Sequence, residues 1–290
     1  MSELHSTPHG PMKAMIFAAG LGTRLKPLTD TMPKALVPIC GQPLLYHVID
    51  KLVKAGYDRI VVNVHHFPDQ IIDFLKAHDF GVRIDVSDER DYLRETGGGI
   101  RYAQPLLTDF STPPSAPLEM TGEGPLSFRP SGASGEIFPK EPFLVHNVDI
   151  VSNLDLKWFR EQHRAGALAT LVVSERKTQR YFLFDEENRL RGWTNLATGE
   201  VRSPYKDIDP EQCRKLAFSG IHLISPEIFN AFERLQMGDR FSIVDFYLKA
   251  CAEYPIYGVV PPEFTMVDVG KFATLPEAES ICADILNRDL

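Results

Sequence analysis

The chain has 290 residues, 43% hydrophobic and 24% charged, enough to bury a substantial core as one large domain or two coupled lobes. Its formal net charge of -8 and pI near 5.6 argue against non-specific affinity for nucleic acid or anionic membrane, since neither favours a net acidic partner. Four scattered cysteines, Cys40, Cys213, Cys251 and Cys282, form no C-x-x-C pair, which disfavours a structural zinc site or a disulfide framework and fits a reducing cytoplasm.

The polar start, residues 1–12, lacks the apolar stretch of a signal peptide and reads as a disordered extension, and no run of about 18 apolar residues offers a membrane span. From Lys13 to Ala18 a short apolar run enters Ala19-Gly20-Leu21-Gly22, the pattern of a buried parallel strand feeding a glycine-rich loop. Residues 44–55 carry apolar side chains at helical spacing, with Gly56 as the stop; 59–64 form a β-branched strand, 69–78 a helix and 82–87 a strand. That alternation predicts a parallel sheet with helices on both faces. Glu95-Thr96-Gly97-Gly98-Gly99-Ile100 reads as a glycine loop turning into a helix that runs to residue 107, and 109–140, rich in Pro, Ser, Gly and Thr, as an irregular insertion. The sheet resumes at 143–145 and 169–173, with a helix at 156–164 between them. A hairpin pairs 181–185 with 190–193, 216–224 is a strand, and 226–232, 243–253 and 274–287 are helices. Residues 13–290 are taken as a single domain.

Chemistry concentrates first in Ala18-Ala-Gly-Leu-Gly-Thr-Arg24, followed by Pro33-Lys34. A triphosphate requires close backbone approach and cations; Gly20 and Gly22 supply the first, Arg24 and Lys34 the second. A G-x-G pair alone also occurs in ordinary strand-helix turns. Leu25 stands where a dinucleotide fingerprint needs its third glycine, and no G-K-[ST] makes a P-loop. Farther on, Leu144-Val-His-Asn-Val-Asp149 is a hydrophobic strand ending on an acid, placed to hold a hard cation or simply to cap a turn. His65-His66 has no partner at ligand spacing and reads as a loop or cap pair.

A-A-G-x-G-T-R with a downstream P-K resembles the sugar-1-phosphate nucleotidylyltransferase family, and the resemblance extends from Lys13 to Leu275. It implies an α/β fold: a Rossmann-like, GT-A-type mixed, mostly parallel sheet flanked by helices, with a small β-rich sugar-binding lobe. It implies an Mg²⁺-dependent enzyme joining an NTP-derived nucleoside monophosphate to a sugar 1-phosphate, with pyrophosphate released. Ala19, Gly20, Gly22, Thr23 and Arg24 would bind the nucleotide phosphates, Arg24 and Lys34 would be catalytic, and Asn147 would contact the nucleotide. Asp149, in the N-x-D pattern, and Asp268, in Phe264-Thr-Met-Val-Asp268-Val-Gly270, would share one Mg²⁺. Gly97 and Gly98 would lie against the base. Gly220, in Ala217-Phe-Ser-Gly220, would touch the sugar, and Arg180 would replace the lysine that many relatives use on the sugar phosphate, although it reads equally well as a solvated surface charge. The E-T-G-G-G-I segment is most similar to that of N-acetylmuramate 1-phosphate uridylyltransferases, with UTP as donor; heptose 1-phosphate guanylyltransferases have a similar one, and mannose or glucose 1-phosphate enzymes are alternatives. A non-catalytic sugar-nucleotide sensor is the reading outside enzymes, disfavoured because Arg24, Lys34, Asp149 and Asp268 are all present.

Overall fold

Along the first strand, Lys13–Phe17 (β1), Ala14 and Ile16 pack into one apolar cluster and Met15 into another, all fully buried, so both faces of this strand have to be covered. The computed structural model describes residues 12–108, 141–270 and 275–288. The insertion expected at 109–140 and nearly all of the expected N-terminal extension lie outside those residues. Met12, counted with that extension, belongs to the fold: its carbonyl accepts from the Asp58 and Arg59 N–H groups at 3.1 and 3.3 Å.

In chain order β1 is followed by three 3-10 turns, a minimal hairpin of Pro38–Ile39 (β2) and Gln42–Pro43 (β3), helix Leu44–Lys54 (α1), strand Arg59–Val64 (β4), helix Pro68–Ala77 (α2), strand Arg83–Asp88 (β5), and helices Glu95–Tyr102 (α3) and Gln104–Thr108 (α4). Strands Phe143–Asn147 (β6) and Ile150–Ser152 (β7) precede helix Leu156–Glu161 (α5) and strands Ala169–Ser174 (β8), Arg180–Phe184 (β9), Leu190–Asn195 (β10), Glu200–Arg202 (β11) and Arg214–Ile224 (β12). Helices Ile228–Arg234 (α6) and Ile243–Ala250 (α7), strands Ile256–Val259 (β13) and Met266–Asp268 (β14) and helix Leu275–Arg288 (α8) complete the described chain.

Ten of these strands form one mixed sheet ordered β11-β10-β9-β12-β6-β1-β4-β5, with β8 beside β12 and β13 beside β8. β5, β4, β1 and β6 run parallel, and β12 turns the sheet antiparallel. One apolar cluster joins α1 and α2 to the first face through Leu45, Ile49, Leu52, Ile71 and Leu75; the other joins α6 and α7 to the second through Phe232, Phe246 and Tyr247. The expected α/β arrangement with helices on both faces is therefore present. No helix among the described residues is long and apolar enough to cross a membrane.

Adjacent strands β1 and β6 end together, with Phe17 opposite Asn147, so the loops that follow them emerge side by side at the carboxyl edge of the parallel strands. Open α/β sheets bind ligands at this edge. Strands β2, β3, β7 and β14, each two or three residues long, were not legible in the sequence, because so short a segment establishes no alternation. The antiparallel β7–β14 ladder is the most consequential of them, since it pairs Ile150 with Asp268.

Candidate active site

The loop after β1 is held by its own backbone. Gly22 adopts φ +64°, and a Cβ there would lie 2.7 Å from the Thr29 Cγ2, so only glycine fits both the conformation and the space. Its carbonyl accepts from the Leu25 N–H and the Thr29 Oγ1, each at 2.8 Å, which closes the turn carrying Thr23 and Arg24. Gly20 is exposed, and a Cβ on it would meet nothing within 4 Å. The N–H of Ala18, at the loop's root, donates to the buried Asn63 Oδ1 at 2.8 Å.

This loop floors a cavity of about 560 Å³ lined by Ala19, Gly20, Gly22, Thr23, Arg24, Lys34, Asn147 and Asp149, with Glu95, Thr96 and Ser242 on the facing side. Lys34, buried at the start of a 3-10 turn after Pro33, donates its Nζ to Asp149 Oδ2. The Asp149 carbonyl accepts from the Val269 N–H at 2.8 Å, extending the β7–β14 ladder by one bond and bringing Asp268 beside Asp149 although they are far apart in sequence. A Cβ on Gly270 would lie 2.5 Å from Asp268 Oδ1 and 2.9 Å from Arg24 Nη2, so both groups press on the same stretch of backbone. Asp268 holds its proton more tightly than an ordinary aspartate: removal of surrounding water raises its pKa and the neighbouring Asp149 charge adds to that, against the opposing pull of Lys34, Arg24 and Arg176. Among the described residues no three His, Cys, Asp or Glu side chains cluster as a metal nest; Asp149 and Asp268 are neighbouring acids that could hold a hard cation.

On the β12 side, Gly220 adopts φ +74° within the irregular pairing of β12 with β8, and a Cβ there would lie 2.5 Å from the Asn147 Nδ2. Gly220 and Asn147 are thus in direct contact at the cavity's edge. Arg180, in contrast, is an exposed residue at the start of β9, opposite Asn195, and it does not line the cavity. Arg176, also exposed and outside the cavity lining, donates its guanidinium to the Phe218 carbonyl at 3.0 Å and opposes the rise of the Asp268 pKa. Sequence reasoning missed it; the signal available was Gly220 interrupting a strand pattern, which marks a bulge and re-aims the loop opposite.

The glycine triplet differs most from expectation. Gly97, Gly98 and Gly99 are buried inside α3 and are not the loop before it. The Gly97 and Gly98 N–H groups donate to the Phe241 carbonyl at 2.9 and 3.2 Å, so they are not presented to a base edge. A Cβ on Gly97 would lie 2.3 Å from the Phe241 ring, and one on Gly98 2.3 Å from the Asp239 carbonyl oxygen. What α3 offers the cavity is its first turn, Glu95 and Thr96, with Glu95 at a positive φ of 61°.

Comparison with known proteins gives the family. Residues 13–113 match the nucleotidyl transferase family model. An N-acetylmuramate alpha-1-phosphate uridylyltransferase of Caulobacter vibrioides is 31% identical over 263 residues, which cover 87% of this chain and 89% of that protein. The chain belongs to the sugar-1-phosphate nucleotidyltransferase family. A mannose-1-phosphate guanyltransferase beta-A of Xenopus laevis is 40% identical over 266 residues, 90% of this chain but 61% of the longer relative. Among solved structures, the inositol-1-phosphate CTP transferase of T. maritima superposes with a TM-score of 0.67 at 15% identity, covering 96% of this chain and 97% of that one, a likeness of fold. In this sugar-1-phosphate nucleotidyltransferase the cavity gathers the glycine loop, Arg24, Lys34 and Asp149, and the β7–β14 ladder sets Asp268 beside Asp149.

Proposed function

We propose that this nucleotidyltransferase moves a uridylyl group from UTP to N-acetylmuramate 1-phosphate. The observation that carries the reaction is the convergence of Arg24, Lys34, Asp149 and Asp268 around the glycine loop. The choice of UTP and N-acetylmuramate 1-phosphate is supported by the Caulobacter relative, which matches over nearly the whole chain.

In this reading the backbone of Ala19 to Thr23 and the Arg24 guanidinium hold the β- and γ-phosphates, which become the leaving pyrophosphate. Lys34 acts as a point charge on the α-phosphate, where negative charge grows in the transition state. A sugar-phosphate oxygen forms the new bond to the α-phosphorus as the α–β phosphoanhydride bond breaks in line. The attacking oxygen is already anionic near neutral pH, so the chain needs no general base. Asp149 and Asp268 fit Mg²⁺ and would hold it: both offer hard oxygen donors, and Asp268 has a raised proton affinity that a cation would relieve. When bound there, the ion supplies charge neutralisation at the phosphates. Gly220 and Asn147 would form the sugar-side wall, and Arg176, which acts electrostatically on Asp268, is a second candidate beside Arg180 for the sugar phosphate.

The Xenopus relative favours a second reading, a guanylyl group and mannose 1-phosphate. Pyrophosphate release measured for each NTP against N-acetylmuramate, mannose, glucose and heptose 1-phosphates decides between them. Turnover concentrated in the UTP and N-acetylmuramate pair is expected; a dominant GTP and mannose pair would replace the first reading, and no turnover with any pair would defeat both.

A further inference from the structure

Glu89, directly after β5, is fully buried, and both of its carboxylate oxygens are engaged by donors. Oε1 accepts from the Asn63 Nδ2 at 3.0 Å, and Oε2 accepts from the backbone N–H of Arg94 at 3.1 Å. Each donor leads to one side of the nucleotide cavity. The Asn63 Oδ1 accepts the Ala18 N–H at the root of the glycine loop, and Arg94 immediately precedes Glu95 and Thr96 on the facing wall. Gly99 presses on the same carboxylate, since a Cβ there would lie 2.9 Å from Oε1. The Glu89 carbonyl accepts from the His65 Nδ1 at 2.7 Å, which pins its main chain as well.

We infer that Glu89 is a positioning residue: it fixes the phosphate loop relative to the Glu95–Thr96 wall and thereby sets the affinity for the nucleoside triphosphate, without touching it. The inference rests on the proposed reading of this cavity as the nucleotide site. The hydrogen-bond logic is restrictive. Both groups facing the carboxylate are donors, so the group between them has to accept at both of its atoms, which a carboxylate does and an amide does not. The carboxylate also decides which way Asn63 faces: with Nδ2 held on Glu89, Oδ1 is presented to Ala18. An amide at position 89 sets N–H against N–H, either at Arg94 or at Asn63. Relief at Asn63 comes by rotating its side chain, which takes the acceptor away from Ala18.

The test uses the full chain as wild type, Glu89→Gln and Asn63→Ala, with the double variant. Binding of UTP and GTP is titrated in the absence of sugar phosphate, and KM for each substrate and kcat are measured where turnover exists. Glu89→Gln is expected to weaken triphosphate binding by about tenfold, roughly 1.4 kcal/mol, while KM for the sugar phosphate stays within about twofold. A role in folding alone would reduce the active fraction and lower kcat without moving the triphosphate dissociation constant. Asn63→Ala should show the same triphosphate-selective loss, and the double variant should be no worse than the weaker single one, because both break one chain of bonds. Unchanged triphosphate affinity in a folded Glu89→Gln, or fully additive losses, overturns the inference; if Glu89→Gln does not fold, unchanged affinity in Asn63→Ala does so. Absence of turnover in the wild type with every substrate pair counts against the proposed reaction, and the binding titration still judges Glu89.

Discussion

Two glycine-rich segments of similar composition behave in opposite ways in this molecule. Gly20 and Gly22 stand at the mouth of the cavity, one with open space where a side chain would be and the other in a left-handed turn that shapes the loop. Gly97 to Gly99 are buried in a helix, where the missing side chains let Phe241, Asp239 and Glu89 come within contact of the backbone. The first segment leaves open space beside the backbone, and the second uses the missing side chains to admit the protein itself. Glycine content therefore marks close approach, and what approaches is set by the rest of the fold.

The largest expected effect tests the catalytic side of that contrast. Lys34→Ala and Asp149→Ala should each lower pyrophosphate release by about 10³-fold, the scale of losing a charge aimed at the developing transition state. Circular dichroism should show an intact fold. Wild-type rates in either variant would remove the cavity's claim to be catalytic.

Gly98→Ala should act on the other segment, destabilising the protein by about 3 kcal/mol, because a methyl group 2.3 Å from a backbone carbonyl forces α3 off the Asp239–Phe241 stretch. Urea unfolding reads this directly, and a neutral result would mean that α3 is not packed as described.

Acid sharpens the distinction. Burial lowers the pKa of His146 in β6 from 6.5 to about 4 and that of His222 in β12 from 6.5 to about 3. Unfolded chains bind protons at these residues below pH 6.5 while the folded protein resists doing so, so stability is complete above that value and falls as pH drops toward 4. At pH 5 the loss is about 2 kcal/mol for each histidine. Gly98→Ala, already weakened, should unfold at a higher pH than wild type in an acid titration, whereas Gly20→Ala should match wild type.

Smallest is Gly20→Ala itself. A Cβ there meets no atom, so stability should change by less than about 0.5 kcal/mol, but the methyl group stands where phosphate oxygens would come, and KM for the NTP should rise about tenfold. Equal stability losses in Gly20→Ala and Gly98→Ala would erase the contrast between the segments.

How much of this was legible depended on the kind of signal each residue carries. The run of 59–64 was readable as a strand because all six residues are buried between two helical layers. Lys34 and Asp149 were readable through the Pro33-Lys34 and Asn147-x-Asp149 patterns that resemble the family's, and the structure joins the two in one ion pair. The helical state of Gly97 to Gly99 was hidden because glycine is a poor helix former and only the tertiary contacts with Phe241 and Asp239 compensate. Arg176 was hidden for a similar reason: its hydrogen bond to the Phe218 carbonyl depends on the irregular β8–β12 pairing near Gly220, which no local sequence pattern announces. The β7–β14 ladder was invisible because three residues on each side establish no period, although that pairing brings the two acids together.

The same ladder sets the order in which the site can assemble as the chain is made. The glycine loop, Lys34 and Asp149 all emerge before Met266–Asp268, so β1 and β6 are made well before the second acid. Only when β14 zips onto β7 does Asp149 gain its neighbour. A chain that stops short of β14 therefore carries the glycine loop, Lys34 and Asp149 but lacks the strand that sets Asp268 beside Asp149.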